Sequence, residues 1–409
     1  MSTSCVTVRF APSPTGFPHL GSLRTAFYNY VFAKQFNGKF VLRIEDTDKT
    51  RIVGASVQSI VDTLKWVNLI PDEGPIFQSE RKALYQQKAN ELLEKEAAYR
   101  CFCSQTRLEL LRKEAAKNRE MPRYDRRCFH LSKEEIKDNF NKKIPFTIRF
   151  KLPNELVEFE DMIFGMNSTN VFEVESDPIL LKSDGFPTYH LANVVDDNDM
   201  KVTHILRGEE WLTSTPKHVL LYRAFGWQPP KFAHLPLLKN KDGSKLSKRN
   251  DDLRVDVLRK EGYLPEAIIN YLRTIGGGFQ NLCEDKIYDL NEIISSFKLD
   301  NIHTHACKLD IDKLNLYNRL VIGDYLQNNS SHLVSCLRTL ISDKFGADIA
   351  SEFDDDYLKY ILKWSNEGPP IDEILLILGD EKFSQRLKNA LSYIKSNNTN
   401  SVTQNVAEV

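Results

Sequence analysis

No window of this 409-residue chain approaches the ~18 uninterrupted apolar residues that a membrane-spanning helix needs, so a helical membrane protein is excluded. Net charge is almost absent too. Lys and Arg number 55 against 56 Asp and Glu, leaving −1, and that balance speaks against a uniformly basic nucleic-acid binder. Cysteine is sparse: the seven are odd in number and unevenly spaced, and no secretory apolar segment precedes them, which argues for a reducing compartment over a disulfide-stapled secreted fold. Met1 to Arg9 contain no acid but are too short for a visible transit peptide, so targeting is not read directly from them. A G-x-x-x-x-G-K-[ST] string is missing, which disfavours an ordinary P-loop NTPase, and no internal repeat is evident. What remains, 41% hydrophobic and 27% charged, is a globular chain long enough for two to four domains.

The near-zero charge conceals segregation. From Arg81 to Lys151 the bases exceed the acids by 9, from Pro153 to Glu210 the acids exceed the bases by 10, and from Trp211 to Lys260 the bases lead again by 7. Two basic blocks around an acidic one favour an anionic partner.

The opening reads as a βαβ unit. Val6 to Ala11 alternates like a strand, Pro12 to Pro18 is turn-rich, and Gly21 to Phe36 carries apolar residues at helical spacing, closed by Asn37-Gly38. Phe40 to Ile44 follows as a buried strand, so a parallel sheet with ligands at its strand C-termini is expected. A helix from about Ile52 to Val67 comes next. Pro75 to Pro187 reads as an insertion, helical and basic from Ser79 to Asn118 and then strand-rich, as in Phe146 to Lys151. The sheet pattern resumes over Thr188 to Val195 and Val202 to Leu206, a helix is expected over Thr213 to Phe225, and the remainder to Ile394 is mostly helical.

Two strings carry chemistry. Pro18-His19-Leu20-Gly21-Ser22 stands where a helix N-terminus offers backbone N–H groups and a positive dipole end to a phosphate, with His19 as side-chain donor. Lys239-Asn-Lys-Asp-Gly-Ser-Lys245-Leu246-Ser247-Lys248-Arg249 gathers ammonium groups suited to a departing pyrophosphate. Either alone would pass for a turn histidine or a solvated lysine loop. In order with Arg9-Phe10-Ala11-Pro-Ser13-Pro-Thr-Gly16, Leu42-Arg-Ile-Glu45-Asp-Thr-Asp48, Ser183 to Asp197 and Arg207-Gly-Glu-Glu210-Trp211-Leu212, they resemble the glutamyl-tRNA synthetases of class I, from Val6 to about Leu320.

That resemblance implies a Rossmann-type parallel-sheet catalytic domain over residues 1–75 and 188–245, an α/β acceptor-end-binding insertion over 76–187, a stem-contact domain over 246–320 and a helical anticodon-binding domain over 321–409. It implies ATP with Mg²⁺, L-glutamate and tRNA(Glu), leaves charging of tRNA(Gln) open, and implies a monomer and no membrane. Glutamate would lie among Arg9, Phe10, Ala11, Ser13, Glu45, Tyr189, His190, Leu191, Ala192, Asn193 and Arg207. Arg9 and Arg207 would clamp its carboxylates and Glu45 its ammonium. ATP would meet His19, Gly21, Ser22, Glu210, Trp211, Lys245, Leu246, Ser247, Lys248 and Arg249, with His19 and Lys248 catalytic. The family's second signature histidine is Ser22 here. Inside the insertion, Cys101, Cys103, Cys128 and His130 match a structural zinc spacing seen in some bacterial members, with Tyr124 another candidate ligand. About ninety residues follow Leu320, fewer than a two-part anticodon cage, so the expectation is either a pared-down cage or a shortened product of the gene. Strings such as Gly226 to Leu238 and Gly276 to Phe279 are most similar to the mitochondrial branch, with a bacterial cytosolic enzyme as the alternative. A glutaminyl enzyme is disfavoured by the helical C-terminal third, and a non-catalytic tRNA-binding protein by the intact set of His19, Arg9, Glu45, Arg207 and Lys248.

Overall fold

The computed structural model describes residues 5–240, 243–244 and 253–328, and beyond these residues 331, 334–335, 338–339, 341–342, 346–351, 353–356 and 358. Two compact units divide the chain. The first comprises Met1–Asn250, Leu272–Glu284 and Tyr288–Leu309, and the second comprises Asp251–Tyr271, Asp285–Ile287 and Asp310–Val409.

The first unit is built on parallel strands. β1 (Thr7–Phe10) leads into α1 (Leu20–Gln35) and β2 (Lys39–Ile44), then α2 (Ser56–Trp66) and β3 (Glu73–Phe77). β1 pairs β2 and β2 pairs β3, both parallel. Apolar residues of α1 such as Leu23, Phe27 and Val31 are fully or almost fully buried, which is why this sequence stays helical on the sheet. The helix ends at Phe36, and Gly38 is needed just after it because a Cβ there would come within 2.3 Å of the Val6 carbonyl oxygen.

α3 (Lys82–Glu94), β4 (Ala98–Cys101), α4 (Gln105–Asn118), α5 (Lys133–Asn141) and β5 (Thr147–Phe150) follow. Then come β6 (Val157–Asp161), β7 (Gly165–Thr169), α6 (Val171–Val174) and β8 (Ile179–Leu181). β4, β5 and β8 form a separate antiparallel sheet. The chain continues through α7 (Tyr189–Asp199), β9 (His204–Gly208), α8 (Thr215–Phe225) and β10 (Lys231–Leu235). β9 and β6 both pair β10 in parallel, with β7 as an antiparallel edge. β9 begins beside β1, where the Thr203 N–H donates to the Thr7 carbonyl at 2.9 Å. Parallel strands in an α/β arrangement are therefore present as expected, in two hydrogen-bonded sets, β1-β2-β3 and the β9-β10-β6-β7 sheet, with one difference. Residues 157–169, counted with the insertion by pattern, belong to this sheet, because β6 takes the position next to β10.

Two local expectations fail for stated reasons. Thr188 to Val195 reads as a strand but forms α7: the run Leu191 to Asp197 is buried on every side, and a fully buried helix loses the 3.6-residue alternation. The helical stretch Ser79 to Asn118 is interrupted by β4, whose four residues are too few to leave a period of their own. The unit closes with β11 (Leu238–Lys239), β12 (Gly277–Phe279), α11 (Leu290–Ser296), β13 (Phe297–Ile302) and β14 (Cys307–Lys308), while α9 (Val255–Lys260) and most of α10 (Pro265–Arg273), which follow β11 in the chain, belong to the second unit. β11 pairs β14 in parallel and β12 pairs β13 antiparallel.

In the second unit the named elements among the described residues are helices, the longest being α12 (Ile311–Asn328). Leu314, Tyr317, Val321 and Ile322 are its buried face. Asn318 accepts from the Leu264 N–H at 2.9 Å, and the Asn315 side chain accepts from the Tyr263 hydroxyl at 2.5 Å. Residues 359–409 of the expected anticodon-binding domain lie outside the described residues. No helix among the described residues is long and apolar enough to cross a membrane.

Candidate active site

A cleft of about 690 Å³ opens at the C-terminal ends of β1, β9 and β10, where a doubly wound sheet places its ligands. Arg9, Phe10, Ala11, Ser13, His19, Gly21, Ser22, Glu45, Tyr189, Arg207, Glu210 and Trp211 line it, so most of the residues expected from sequence converge.

His19 is the N-cap of α1. Its Nδ1 accepts from the Ser22 N–H at 3.2 Å, while the Ser22 hydroxyl accepts from the His19 N–H at 3.1 Å. The serine that replaces a second histidine thus completes a reciprocal cap. With Nδ1 occupied as acceptor, the neutral ring carries its hydrogen on Nε2, a donor for an anion. Gly21 keeps room for that ring: a Cβ would lie 3.0 Å from His19 Nδ1 and Cε1.

Behind the cleft two buried guanidiniums share one carboxylate. Asp197 Oδ1 accepts from Arg9 Nε at 3.0 Å and from Arg43 at 2.6 Å, and Asn193 Oδ1 accepts from the same two side chains at 3.3 and 3.0 Å. Arg43 also pairs with Glu45 at 3.2 Å. Burial would raise the Asp197 pKa, but the charges and hydrogen bonds of Arg43 and Arg9 outweigh it and hold the carboxyl below its usual range. For Glu45 burial wins over the two arginines, and its pKa is raised. Arg9 thus pairs with Asp197 and not with the acids nearer in sequence: Glu45 is taken by Arg43, and Asp46 accepts from Ser79 N and Oγ at 2.8 and 2.6 Å. Arg43 and Asp197 are the functional residues that sequence reasoning missed. Their signal was present, since Arg43 and Glu45 alternate on one face of an otherwise apolar strand, and two buried cations require an acid.

Arg207, at the end of β9, is different. Its Nε donates to His234 Nε2 at 3.0 Å, and its terminal nitrogens reach the Tyr189 hydroxyl (3.2 Å), His218 Nδ1 (3.2 Å), Thr215 Oγ1 (2.8 Å) and the Trp211 carbonyl (3.4 Å). Every one of these partners is neutral. Burial, followed by the charge of Arg207, holds His218 well below its ordinary value, and burial with Lys217 and Arg207 brings His190 down to about 3. No carboxylate among the described residues forms an ion pair with Arg207, although the side chain is 5% exposed. A buried cation of this kind is a place for an anion to arrive.

Not every expected residue reaches the cleft. Leu191 and Ala192 are fully buried in the core, because α7 is a helix whose inner face they occupy. His190 is held by His218 at 3.1 Å, and Asn193 stands behind Arg9 as described. Lys245, Leu246, Ser247, Lys248 and Arg249 lie outside the described residues. Lys239, just before them, lines the cleft.

Away from the cleft, Cys101, Cys103 and Cys128 bring their sulfurs within 4.8 Å of one another. Cys103 and Cys128 stand 3.6 Å apart, and the Tyr124 hydroxyl is 3.3 Å from Cys101 and 3.7 Å from Cys103. Four sulfurs at about 2.3 Å from a zinc would be about 3.8 Å from each other, so three thiols and a phenol fit that ion. His130 does not join them. It ends the single turn Arg127–His130, which points Cys128 inward and leaves His130 exposed. Burial would raise the Cys101 thiol, yet hydrogen bonds from Tyr124 and Arg149 lower it, while burial pushes Cys103 up to about 11.

Residues 5–316 match the model of the catalytic domain of class I tRNA synthetases (E and Q). A glutamate–tRNA ligase of Borrelia recurrentis (strain A1) is 40% identical over 412 residues, covering 98% of this chain and 78% of its own. The mitochondrial glutamate–tRNA ligase of Saccharomyces cerevisiae (strain ATCC 204508 / S288c) is 46% identical over 348 residues, 83% of this chain and 64% of that one. The crystal structure of a glutamate tRNA ligase from Elizabethkingia meningosepticum CCUG26117 in complex with its amino acid is similar with a TM-score of 0.80 and 34% identity, covering 93% of this chain and 82% of that one.

Proposed function

The chain belongs to the class I tRNA synthetases of the glutamate and glutamine type, and from that premise we propose how the residues of its cleft divide the work of glutamate–tRNA ligation. The reaction is ATP-dependent: a glutamate α-carboxylate oxygen attacks the α-phosphorus, the bond to pyrophosphate breaks, and the glutamyl adenylate then passes its acyl group to the terminal ribose hydroxyl of tRNA, releasing AMP.

The observation that carries the assignment is Arg207, a buried cation with only neutral partners, opening on the same cleft as Glu45 and His19. Arg207 and Arg9 take the two carboxylates of glutamate, whose fork geometry they match, and Glu45 takes the ammonium. The Nε2–H of His19 and the first backbone N–H groups of α1 face the ATP phosphates. Glu210 and Trp211 line the nucleotide side. Mg²⁺ enters with the nucleotide as part of the substrate, screening phosphate charge, and a resident protein cage for it is not required. ATP–pyrophosphate exchange is the test, run with glutamate in the presence and absence of tRNA, followed by charging of glutamate and glutamine tRNAs. Exchange and charging of the glutamate tRNA are expected, and no exchange under either condition would remove the enzyme assignment.

The insertion, with 9 more bases than acids between Arg81 and Lys151, is our candidate for the tRNA acceptor end, through phosphate contacts. Within it, Cys101, Cys103, Cys128 and Tyr124 would hold a zinc ion, which would tie β4 to the turn at Cys128. Purified protein is expected to carry about one equivalent by metal analysis, lost together with its thermal stability on chelation. Less than one tenth of an equivalent would leave three reduced, packed thiols instead. The mitochondrial matrix is our reading of the compartment, on the strings Gly226 to Leu238 and Gly276 to Phe279, with a bacterial cytoplasm as the alternative.

A further inference from the structure

Arg9 has only a share of one carboxylate, since Asp197 is divided between it and Arg43, whereas Arg207 reaches a carboxylate, Asp161, only through the ring of His234. Asp161 sits on β6, His234 on β10 and Arg207 on β9. Arg207 and His234 are direct partners in the parallel ladder, and Asp161 pairs with Phe232, two residues before His234. The Asp161 and His234 side chains are wholly buried. Asp161 Oδ1 accepts from the N–H groups of Ile163 and Phe164 at 3.0 and 2.9 Å, and Oδ2 meets His234 Nδ1 at 2.6 Å.

This order dictates a tautomer. A carboxylate at Nδ1 is acceptor only, so the neutral ring donates from Nδ1 and turns its Nε2 lone pair to Arg207, whose Nε–H donates into it at 3.0 Å. Were the carboxylate to touch Arg207 directly, it would cancel the charge that an incoming anion needs. Were the ring to carry its hydrogen on Nε2, two N–H groups would oppose each other. The imidazole therefore holds one edge of the guanidinium in place without neutralising it.

We propose that Asp161 and His234 are positioning residues that keep Arg207 aimed into the cleft as a cation with neutral partners. The inference rests on Arg207 being a glutamate clamp. His234 does not touch substrate in this arrangement, so its loss acts on glutamate binding and leaves the ATP side alone.

Steady-state charging of glutamate tRNA by the full chain tests this, with KM measured separately for glutamate and ATP. His234→Ala is expected to raise the glutamate KM at least tenfold while the ATP KM changes by less than twofold. His234→Gln, whose amide oxygen can accept from Arg207, is expected to recover at least half of that loss on a logarithmic scale. Asp161→Asn, which frees the tautomer, should raise the glutamate KM at least threefold. A smaller selective effect of His234→Ala, an equal rise for ATP, or no recovery in His234→Gln overturns the proposal. If His234→Ala does not fold, as judged by melting, Asp161→Asn decides: a glutamate KM raised less than threefold, or an equal rise for ATP, overturns it. Arg207→Gln separates the premise from the inference. It is expected to raise the glutamate KM at least thirtyfold, and if it does not, the clamp reading itself falls. If it does while His234→Ala has no selective effect, only the positioning role is lost.

Discussion

Lys248→Ala is expected to slow glutamyl adenylate formation by two or more orders of magnitude, with the protein still folded. Charge builds on the pyrophosphate oxygens as the bond to the α-phosphorus breaks, and a cation placed to meet it contributes more in the transition state than in the ground state. Removing one such donor costs about 10²–10³ in rate. Lys248 lies outside the described residues, so the expectation comes from the string Lys245-Leu-Ser-Lys-Arg249, which follows in sequence on Lys239, a residue that lines the cleft. Two comparisons sharpen the test. Lys245→Ala and Arg249→Ala, at residues expected to meet ATP while Lys248 is the catalytic one, should lose less than Lys248→Ala in ATP–pyrophosphate exchange at saturating ATP and glutamate. The ATP KM of Lys248→Ala should change far less than its turnover, since the interaction is made mainly at the transition state. A loss below tenfold would move the principal contact to another residue of the loop.

The first βαβ unit was legible because its periods are clean: alternation from Val6, a 3.6-residue face on α1 and a Gly-containing stop. The cleft residues Arg9, His19, Glu45 and Arg207 were legible as well, because each stands inside a recognisable string of the sequence. What pattern could not supply was pairing. Nothing local says that Asp197, at the far end of a helix whose pattern reads as a strand, meets Arg9 and Arg43, or that Asp161 inside an apparent insertion returns to the main sheet beside β10. Both depend on contacts more than 70 residues apart in sequence, as the separations of 188 for Arg9–Asp197 and 73 for His234–Asp161 show. The same limit explains His130: spacing placed it with the thiols, while the handedness of one tight turn took it to the surface. The acidic block from Pro153 to Glu210, without a role by composition, acquires one in part, because it contains Asp161, Asp177, Asp196 and Asp197, each buried against a basic or imidazole partner.

Asp197→Ala is the second large expected effect, this time on stability. Two guanidiniums, 3% and 0% exposed, share the Oδ1 atom of this carboxylate, so its removal leaves Arg9 with no ion-pair partner among the described residues and Arg43 with Glu45 at 3.2 Å and the more distant Asp196 at 3.9 Å. Breaking a buried ion pair on one side costs about 3–5 kcal/mol, because the partner stays uncompensated and cannot be rehydrated. Arginine also has no neutral form to retreat to at working pH. The apparent melting temperature should therefore fall on the order of 10 °C, and Asp197→Asn, which keeps an acceptor oxygen but not the charge, should lie between alanine and wild type. The pH dependence is fixed by sign. The folded carboxyl is held below its ordinary value of 3.8, so the stabilisation is fully present above that value and is lost only as pH falls through the lower, folded one. The gap between wild type and Asp197→Asn should accordingly stay constant from pH 8 to pH 5. Denaturant midpoints measured across that range are the check: a gap that closes before pH 5, or a loss under 1 kcal/mol for Asp197→Ala, would mean that Asn193 and Glu45 hold Arg9 and Arg43 without it.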